Sequence, residues 1–264
     1  GETRTLSVGV EDPADLAARR LADALAAAGV RVEGQVRVRH RPPGAPPPAT
    51  PPAREIARLL PAPLAEDLAR INRASQNMHS EAVLRRIGLI APPVVEGASR
   101  EGPAVEATMS REGPAPEPGS SAAGLAQIEA MLTQAGLIDP AAPRRDWDLF
   151  DGSGMSVYNR LTPRFVVRFL LWTRGQPWGE AYRAGLPVGG VDGTLARRFA
   201  GTPLEGRIFA KTGSVFAVNA LAGFLEARSG RTLVFAMYSD ERPSSSSSAT
   251  GAMDAALVRI AEAF

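Results

Sequence analysis

Near the start of the chain, apolar positions change from helical spacing to strict alternation. Between Pro13 and Ala28, leucines recur on one helical face, and the segment begins with a proline and ends before Gly29. This pattern predicts an amphipathic helix. Valines then alternate with arginine and glutamate up to Val38, interrupted at Gly34, which predicts a short strand.

The middle of the chain is predominantly helical in pattern. Helical spacing extends from Ala53 to Ile87 in two pieces separated by Pro61 and Pro63, and the second piece is interrupted near Ser75. Residues 121–137 predict a further helix that closes on Gly136, and a strongly apolar run at 163–173 predicts another.

The last third of the chain combines alternating segments with one final helix. Strands are predicted at 207–211, 215–225 and 232–238, with a turn at Ser229-Gly230 joining the last two, and a helix at 250–264. Helices followed by an antiparallel meander and a closing helix predict an α+β fold rather than repeated βαβ units.

Three segments lack regular periodicity. Prolines dominate residues 41–52, which favours an extended linker or domain-crossing segment, with a proline-rich ligand for a small recognition domain as the alternative. Residues 91–120 are rich in Gly, Pro and Glu and predict an exposed loop or irregular crossing. The serine run 244–248 predicts a flexible connection.

Composition removes several classes of protein. The 264 residues contain no Cys and only two His, which excludes disulfide scaffolds, thiol nucleophiles and a dedicated metal cage, and no cofactor is indicated. The net charge is +2, with acidic and basic residues interleaved, so neither a nucleic-acid partner nor a basic membrane-binding helix is expected. The sequence has no apolar run long enough for a membrane span, and its first residues do not resemble a signal peptide.

One lysine stands out against this composition. Of the 30 Lys and Arg residues, only Lys211 is a lysine, and Thr212, Gly213 and Ser214 follow it. The tripeptide Lys-Thr-Gly, on an edge strand, would place an ammonium and a hydroxyl on a cleft wall, while its glycine lets a substrate backbone approach. That arrangement suits a substrate ending in a carboxylate. Chance retention of one lysine is the alternative.

Two other polar segments are candidates for chemistry. Ser75-Gln76-Asn77 lies in the predicted break between helical pieces. This motif is more significant together with Lys-Thr-Gly than alone, because both motifs occur in penicillin-recognising acyltransferases. The loop DGSGMS, with Asp151 and Ser153 as candidates, precedes an apolar helix. Its simplest interpretation is a helix-capping turn, and direct catalysis is the alternative.

Taken in order, four motifs resemble one family. SQN, DGSGMS with Asn159 soon after, GGVDGTLARR, and KTGSVFAVNALAGFLEARSGRTLVFAMYS are similar to the low-molecular-mass class C penicillin-binding proteins, the D-alanyl-D-alanine carboxypeptidase/endopeptidases. The resemblance runs from about Leu6 to about Ser239. It implies a penicillin-binding/β-lactamase-like transpeptidase domain carrying inserted domains, an extracytoplasmic location, and peptidoglycan peptides and β-lactams as binding partners, without metal or cofactor.

The resemblance also implies roles for matching residues. Ser75 would relay a proton to the leaving amine, and Asn77 would contact the substrate amide. Lys211 and Thr212 would hold the terminal carboxylate, and the Ser214 N–H would be an oxyanion donor. Gln76 stands where the family commonly has Asp.

The nucleophile motif of that family is absent from this sequence. The family needs a Ser-x-x-Lys, but the single lysine, Lys211, follows Ile208-Phe209-Ala210. We therefore expect the C-terminal portion of such an enzyme, with 1–52 the tail of an inserted domain plus linker, 53–264 the C-terminal part of the transpeptidase domain, and the missing N-terminal segment as a partner. A homologue that lost its nucleophile and only binds D-Ala-ended peptides is the alternative.

Two further classes remain as alternatives. His79 lies four residues after Ser75, as a Ser-His hydrolase of another fold would allow, but no G-x-S-x-G elbow exists and the polar neighbours of His79 favour a solvated surface position. A purely structural role is the last alternative, and the presence of both KTG and SQN argues against it.

Overall fold

The computed structural model describes residues 9–40, 54–55, 57–90, 116–215, 218–240 and 248–264. The chain divides into two compact units, Gly1–Leu59 and Leu60–Phe264. The assignment of 1–52 to an inserted domain stays a prediction. The proline-rich segment 41–52, most of the 91–120 segment and the serines 244–247 lie outside the described residues.

The first unit contains the predicted N-terminal helix. Helix α1 spans Pro13–Ala27, and the Asp12 side chain caps it by accepting hydrogen bonds from the backbone N–H groups of Ala14 and Asp15. The strand predicted up to Val38 is wrong: residues 30–40 contain no strand. A strand needs a neighbour for its backbone hydrogen bonds, and the described part of this unit provides none.

The second unit contains six α-helices among the described residues. They are α2 (Leu64–Ala74), α3 (Asn77–Ile90), α4 (Ser121–Gln134), α5 (Pro163–Arg174), α6 (Gly179–Ala184) and α7 (Ser248–Ala263). The predicted interruption near Ser75 is confirmed as the boundary between α2 and α3. The helical piece predicted before Pro61 is wrong, because the described residues from 57 to 63 are not helical and Leu59 and Leu60 are exposed.

Local sequence accounts for three of these helix ends. Pro163 lies in the first turn of α5, and Thr162 Oγ1 accepts the Phe165 N–H at 3.2 Å. Helix α4 begins after Ser120, whose hydroxyl accepts from the Ala123 N–H. It is followed by Gly136 in the left-handed conformation, as the sequence predicts.

A three-stranded antiparallel sheet forms the centre of the second unit. Its strands are β3 (Ile208–Val215), β4 (Val218–Glu226) and β5 (Thr232–Ser239), in the order β3-β4-β5. The expected turn at Ser229-Gly230 is present, with Gly230 at φ +82°. Strand β3 was expected to end at Lys211, and this is wrong: its pairing with β4 continues to Val215, so Lys211 lies in the middle of the strand.

Both faces of the sheet are covered by helices. On one face, alternate residues of the strands, including Ile208, Leu221 and Leu225, pack with Met253 and Leu257 of α7. On the opposite face, Phe224 packs with Leu170 of α5, and Phe209 and Val234 lie against the same cluster. The core therefore lies between two helical layers, which confirms the α+β prediction.

Three small elements that the sequence did not predict frame the candidate loops, and the short helix α6 was not predicted either. Strands β1 (Trp147–Asp148) and β2 (Arg160–Leu161) pair with each other, and the DGSGMS loop connects them. A single 3-10 turn, Gly193–Leu195, lies within GGVDGTLARR. Pairings of two residues and one-turn helices produce no periodic pattern, so hydrophobic spacing does not reveal them.

Candidate active site

The SQN and KTG motifs meet in the folded chain. Lys211 Nζ donates a hydrogen bond to Ser75 Oγ at 2.7 Å and a second to the Thr212 carbonyl at 3.0 Å. Of the candidates that the sequence singled out, Ser75 and Lys211 are therefore in direct contact, with Thr212 adjacent.

Ser75 owes its position to the break between two helices. It terminates α2 in the left-handed conformation, at φ +54° and ψ +56°. The backbone N–H of the next residue, Gln76, bonds to the carbonyl of Ile71, which is buried. A non-glycine residue seldom adopts this conformation, and such residues concentrate at functional sites. The turn fixes the direction of the Ser75 side chain at the start of α3.

Lys211 reaches Ser75 because of its place in the strand alternation. It pairs with Ala222 and shares a face with Phe209, so it projects on the α5 side of the sheet. Burial lowers the pKa of its ammonium below the ordinary lysine value of 10.5. A lysine that releases its proton more readily and bonds directly to a hydroxyl can pass a proton to that hydroxyl and take it back.

Thr212 projects to the opposite side of the strand from Lys211. Its hydroxyl donates a hydrogen bond to Thr194 Oγ1, at 2.9 Å, in the 3-10 turn. Gly213 and Ser214 follow on the same edge strand and are exposed. The motif thus presents an ammonium, a hydroxyl and an accessible backbone along one short stretch.

Asp192 and Gly193 tie the 3-10 turn to α2. The Asp192 carboxylate accepts a hydrogen bond from the Val188 N–H at 2.8 Å and lies 3.2 Å from Arg73 Nε. Arg73 also donates to the Ala184 carbonyl. Gly193 has φ +56°, and a Cβ there would lie 2.7 Å from the Arg73 carbonyl oxygen. The sequence identified GGVDGTLARR as a family motif but did not predict what Asp192 and Gly193 contact.

Asn77 is the first residue of α3, and its side chain is exposed. It therefore lies two residues beyond Ser75, at the mouth of the same turn. The contact between the Asn77 amide and the substrate stays a prediction.

The DGSGMS loop is held by its own aspartate and by α3. Asp151 accepts hydrogen bonds from the backbone N–H groups of Gly154 and Ser156 and from the Asn159 amide. Glu81 of α3 accepts from the N–H groups of Gly152 and Ser153.

The helix-capping interpretation of this loop is wrong. Thr162 caps α5, and the loop instead joins β1 to β2. Asp151 organises a turn within the loop, and Ser153 Oγ lies 3.4 Å from its carboxylate. Because Glu81 belongs to α3, the loop is fixed to the helix that begins at Asn77.

His79 is not part of this arrangement. Its Nε2 lies 4.0 Å from the Asp67 carboxylate and its side chain is 47% exposed. The hydroxyl of Ser75 instead accepts from Lys211, so the structure gives no support to a Ser-His pair. The surface position expected for His79 is confirmed.

Over the described ranges, no cluster of three or more His, Asp or Glu side chains is arranged to hold a metal ion. The helices in the same ranges include none that combines the length and the apolarity needed to cross a bilayer.

Comparison with known proteins adds relatives and a fold. The chain is 32% identical over 258 residues to a D-alanyl-D-alanine carboxypeptidase of Actinomadura sp. (strain R39), covering 96% of this chain and 41% of that protein. It is 32% identical over 212 residues to carboxypeptidase DacB of Mycolicibacterium smegmatis, covering 76% of this chain and 39% of that one. The chain thus spans about 40% of the length of these relatives.

A solved structure of similar fold is penicillin binding protein 4 (dacB) of Haemophilus influenzae, crystallised with a novel β-lactam. The TM-score is 0.67 at 22% identity, covering 97% of this chain and 51% of that one. This likeness confirms the expected α+β fold of the penicillin-binding proteins. The family model for D-Ala-D-Ala carboxypeptidase 3 (S13) matches residues 1–113 and 105–263, and the chain belongs to this family.

Proposed function

We propose that this chain forms part of a serine-type D-alanyl-D-alanine carboxypeptidase that acts on peptidoglycan stem peptides outside the cytoplasm. The observation that carries the proposal is the 2.7 Å contact between Lys211 Nζ and Ser75 Oγ, which joins the two motifs in one proton-transfer pair. Family membership and the names of the relatives support the reaction class.

The proposed reaction is an acyl transfer in two steps. A nucleophilic hydroxyl attacks the carbonyl of the penultimate D-Ala, the peptide C–N bond breaks, and the terminal D-Ala leaves as an amine after receiving a proton from Ser75 Oγ. Lys211 returns a proton to Ser75, and the proton released by the attacking hydroxyl restores Lys211 to its charged form. Water then hydrolyses the acyl-enzyme, which releases the shortened peptide. The endopeptidase reaction differs only in its leaving group, a cross-linked D-Ala amine.

The remaining site residues bind and orient the peptide. At the edge of β3, which side chains from both faces of the strand can reach, Lys211 and the Thr212 hydroxyl hold the terminal carboxylate. Gly213 lets the peptide backbone approach, and the Ser214 N–H donates to the oxyanion. Asn77 contacts the substrate amide. Asp151 and Ser153 act through the shape of their loop, because the Asp151 carboxylate is already occupied by backbone and amide donors.

A second function is favoured by one specific feature. The 264 residues contain no Ser-x-x-Lys, so the nucleophile of the proposed reaction is not among them. A module that binds D-Ala-ended peptides without turning them over needs only the carboxylate-holding residues. Binding and acylation therefore have to be measured separately.

Binding is tested by titrating the chain calorimetrically with an N-acetylated peptide ending in D-Ala-D-Ala and with its C-terminal amide. We expect the carboxylate form to bind and the amide to bind at least 10-fold more weakly. Thr212→Val should weaken the carboxylate form, whereas Thr232→Val, at the start of β5 in the same sheet, should not. Equal binding of the two peptides would contradict both functions.

Acylation is tested by the intact mass of the chain after incubation with benzylpenicillin. We expect no adduct, because Lys211 is the only lysine and is not preceded by serine at the required spacing. A penicilloyl adduct that Ser75→Ala abolishes would make Ser75 a nucleophile and overturn its assignment as proton relay.

A further inference from the structure

We propose that Thr194 is a positioning residue for Thr212, and that its hydroxyl sets the direction in which the Thr212 hydroxyl donates. The inference rests on the proposed function, because it concerns the group that holds the terminal carboxylate of the peptide. It gives the GGVDGTLARR motif a part in substrate binding.

The hydroxyls of Thr194 and Thr212 are in direct contact. The Thr212 hydroxyl donates to Thr194 Oγ1 at 2.9 Å. Thr194 is exposed in the 3-10 turn and Thr212 is half-buried on the edge strand, where a peptide can reach them. Thr212 therefore has a hydrogen-bond partner within the fold.

Thr194 is held rigidly by its chain neighbours. Leu195 has no exposed surface and packs in the core with Ile208 and Ala210 of β3. Gly193 fits tightly against the backbone of Arg73, and Asp192 is fixed by the Val188 N–H. The Thr194 backbone thus sits between the Ser75-bearing helix and the KTG strand, and its hydroxyl has a defined location.

The number of protons and lone pairs on each hydroxyl determines which threonine can donate when a carboxylate binds. Each threonine hydroxyl has one proton and two acceptor lone pairs. A carboxylate is an acceptor only, so Thr212 must direct its single proton to the peptide when the peptide binds. Its bond to Thr194 survives only if Thr194 becomes the donor. In that state Thr194 holds Thr212 with its proton toward the carboxylate, and the charged acceptor strengthens the bond.

The test compares Thr194→Val and Thr194→Ser in the same chain, with the D-Ala-D-Ala peptide and its C-terminal amide as probes. We expect Thr194→Val to weaken binding of the carboxylate peptide about 3- to 10-fold, the range expected for the loss of one hydrogen bond. Binding of the amide should be unchanged, and Thr194→Ser should bind both as the parent chain does. A loss of packing would instead affect both probes and would persist in the serine variant.

The outcomes separate this inference from the proposed function. If the parent chain binds neither peptide, the proposed function fails and the role of Thr194 fails with it. If the parent chain prefers the carboxylate but Thr194→Val binds it equally well, only the role of Thr194 is overturned. Equal weakening of both probes also overturns it. Thermal unfolding midpoints of the variants within about 3 °C of the parent confirm intact folding.

Discussion

Lys211 Nζ lies 2.7 Å from Ser75 Oγ, although the two residues are 136 positions apart in the sequence. One stands in the middle of β3 and the other at the end of α2, so the contact depends on how the helix packs beside the sheet. We therefore expect substitutions that move the turn between α2 and α3, or strand β3, to lengthen this contact.

The acidity of Lys211 can be measured directly because it is the only lysine. Burial lowers its pKa in the folded chain, so its acetylation by trace acetic anhydride should reach half its limiting rate at a lower pH than in urea-unfolded chain. Mass spectrometry of the single lysine-containing peptide gives the rate.

Ser75→Ala should lower the pKa of Lys211 further, because it removes an acceptor that stabilises the charged ammonium. His79→Ala is the matched control, since His79 contacts Asp67 instead. A pKa of Lys211 that does not respond to Ser75→Ala would show that the hydrogen bond contributes nothing to the charge balance of the pair.

Gly193→Ala should destabilise the chain by about 2 kcal/mol or more. The added Cβ meets the Arg73 carbonyl oxygen at 2.7 Å in a residue whose φ is already +56°. Gly201→Ala is the control for the backbone conformation alone: its φ is +70° and nothing lies within 4 Å of the new Cβ, so the cost is about 1 kcal/mol. Urea unfolding measures both. Equal losses would mean that the close approach to α2 is unimportant.

Asp151→Ala should destabilise the β1–β2 loop. It removes the acceptor for the Gly154 and Ser156 N–H groups, at 2.8 and 2.6 Å, and for the Asn159 amide. We expect a loss of about 1–3 kcal/mol and faster hydrogen exchange at those two backbone amides. Asp139→Ala removes an exposed carboxylate that accepts from the Ala141 N–H and should cost less. Unchanged exchange in the Asp151 variant would contradict this role.

How much the sequence predicts depends on the range of the interactions. The α5 helix follows from local signals, a proline in its first turn and a threonine cap, so its start is predicted correctly. The extension of β3 past Lys211 depends on pairing with β4, which the pattern of polar residues in KTGS does not reveal. The strand expected up to Val38 alternates correctly but lacks a partner. Alternating apolar and polar residues give an extended segment one apolar face, but a strand forms only where another strand pairs with its backbone.

The same distinction applies to the site. Ser75 and Lys211 were found because their motifs are short and contiguous in sequence. Thr194 and Arg73 were missed because their roles come from contacts between segments: Thr194 meets Thr212 from a 3-10 turn, and Arg73 meets Asp192 from a helix. Neither residue type carries a signal of its own at its position.

Tyr182 makes the stability of the chain sensitive to alkaline pH. Its ring packs against Phe169 and Trp178, at centroid distances of 6.5 and 6.3 Å, and burial raises the pKa of its phenol to about 12. An unfolded tyrosine ionises near pH 10. Between those two values the folded state binds more protons than the unfolded state, so the free energy of unfolding falls as pH rises.

At pH 11 the contribution of Tyr182 is about 1.4 kcal/mol below its value at pH 9, since one unit of pKa corresponds to about 1.4 kcal/mol. Tyr182→Phe should lack this loss, and comparing both proteins at pH 7 removes any difference in packing. Urea unfolding at pH 7, 9 and 11 measures the double difference, in which contributions common to both proteins, including that of Lys211, cancel. If the free energies of unfolding of the parent chain and of Tyr182→Phe fall equally between pH 9 and 11, Tyr182 ionises as freely in the folded chain as in the unfolded chain.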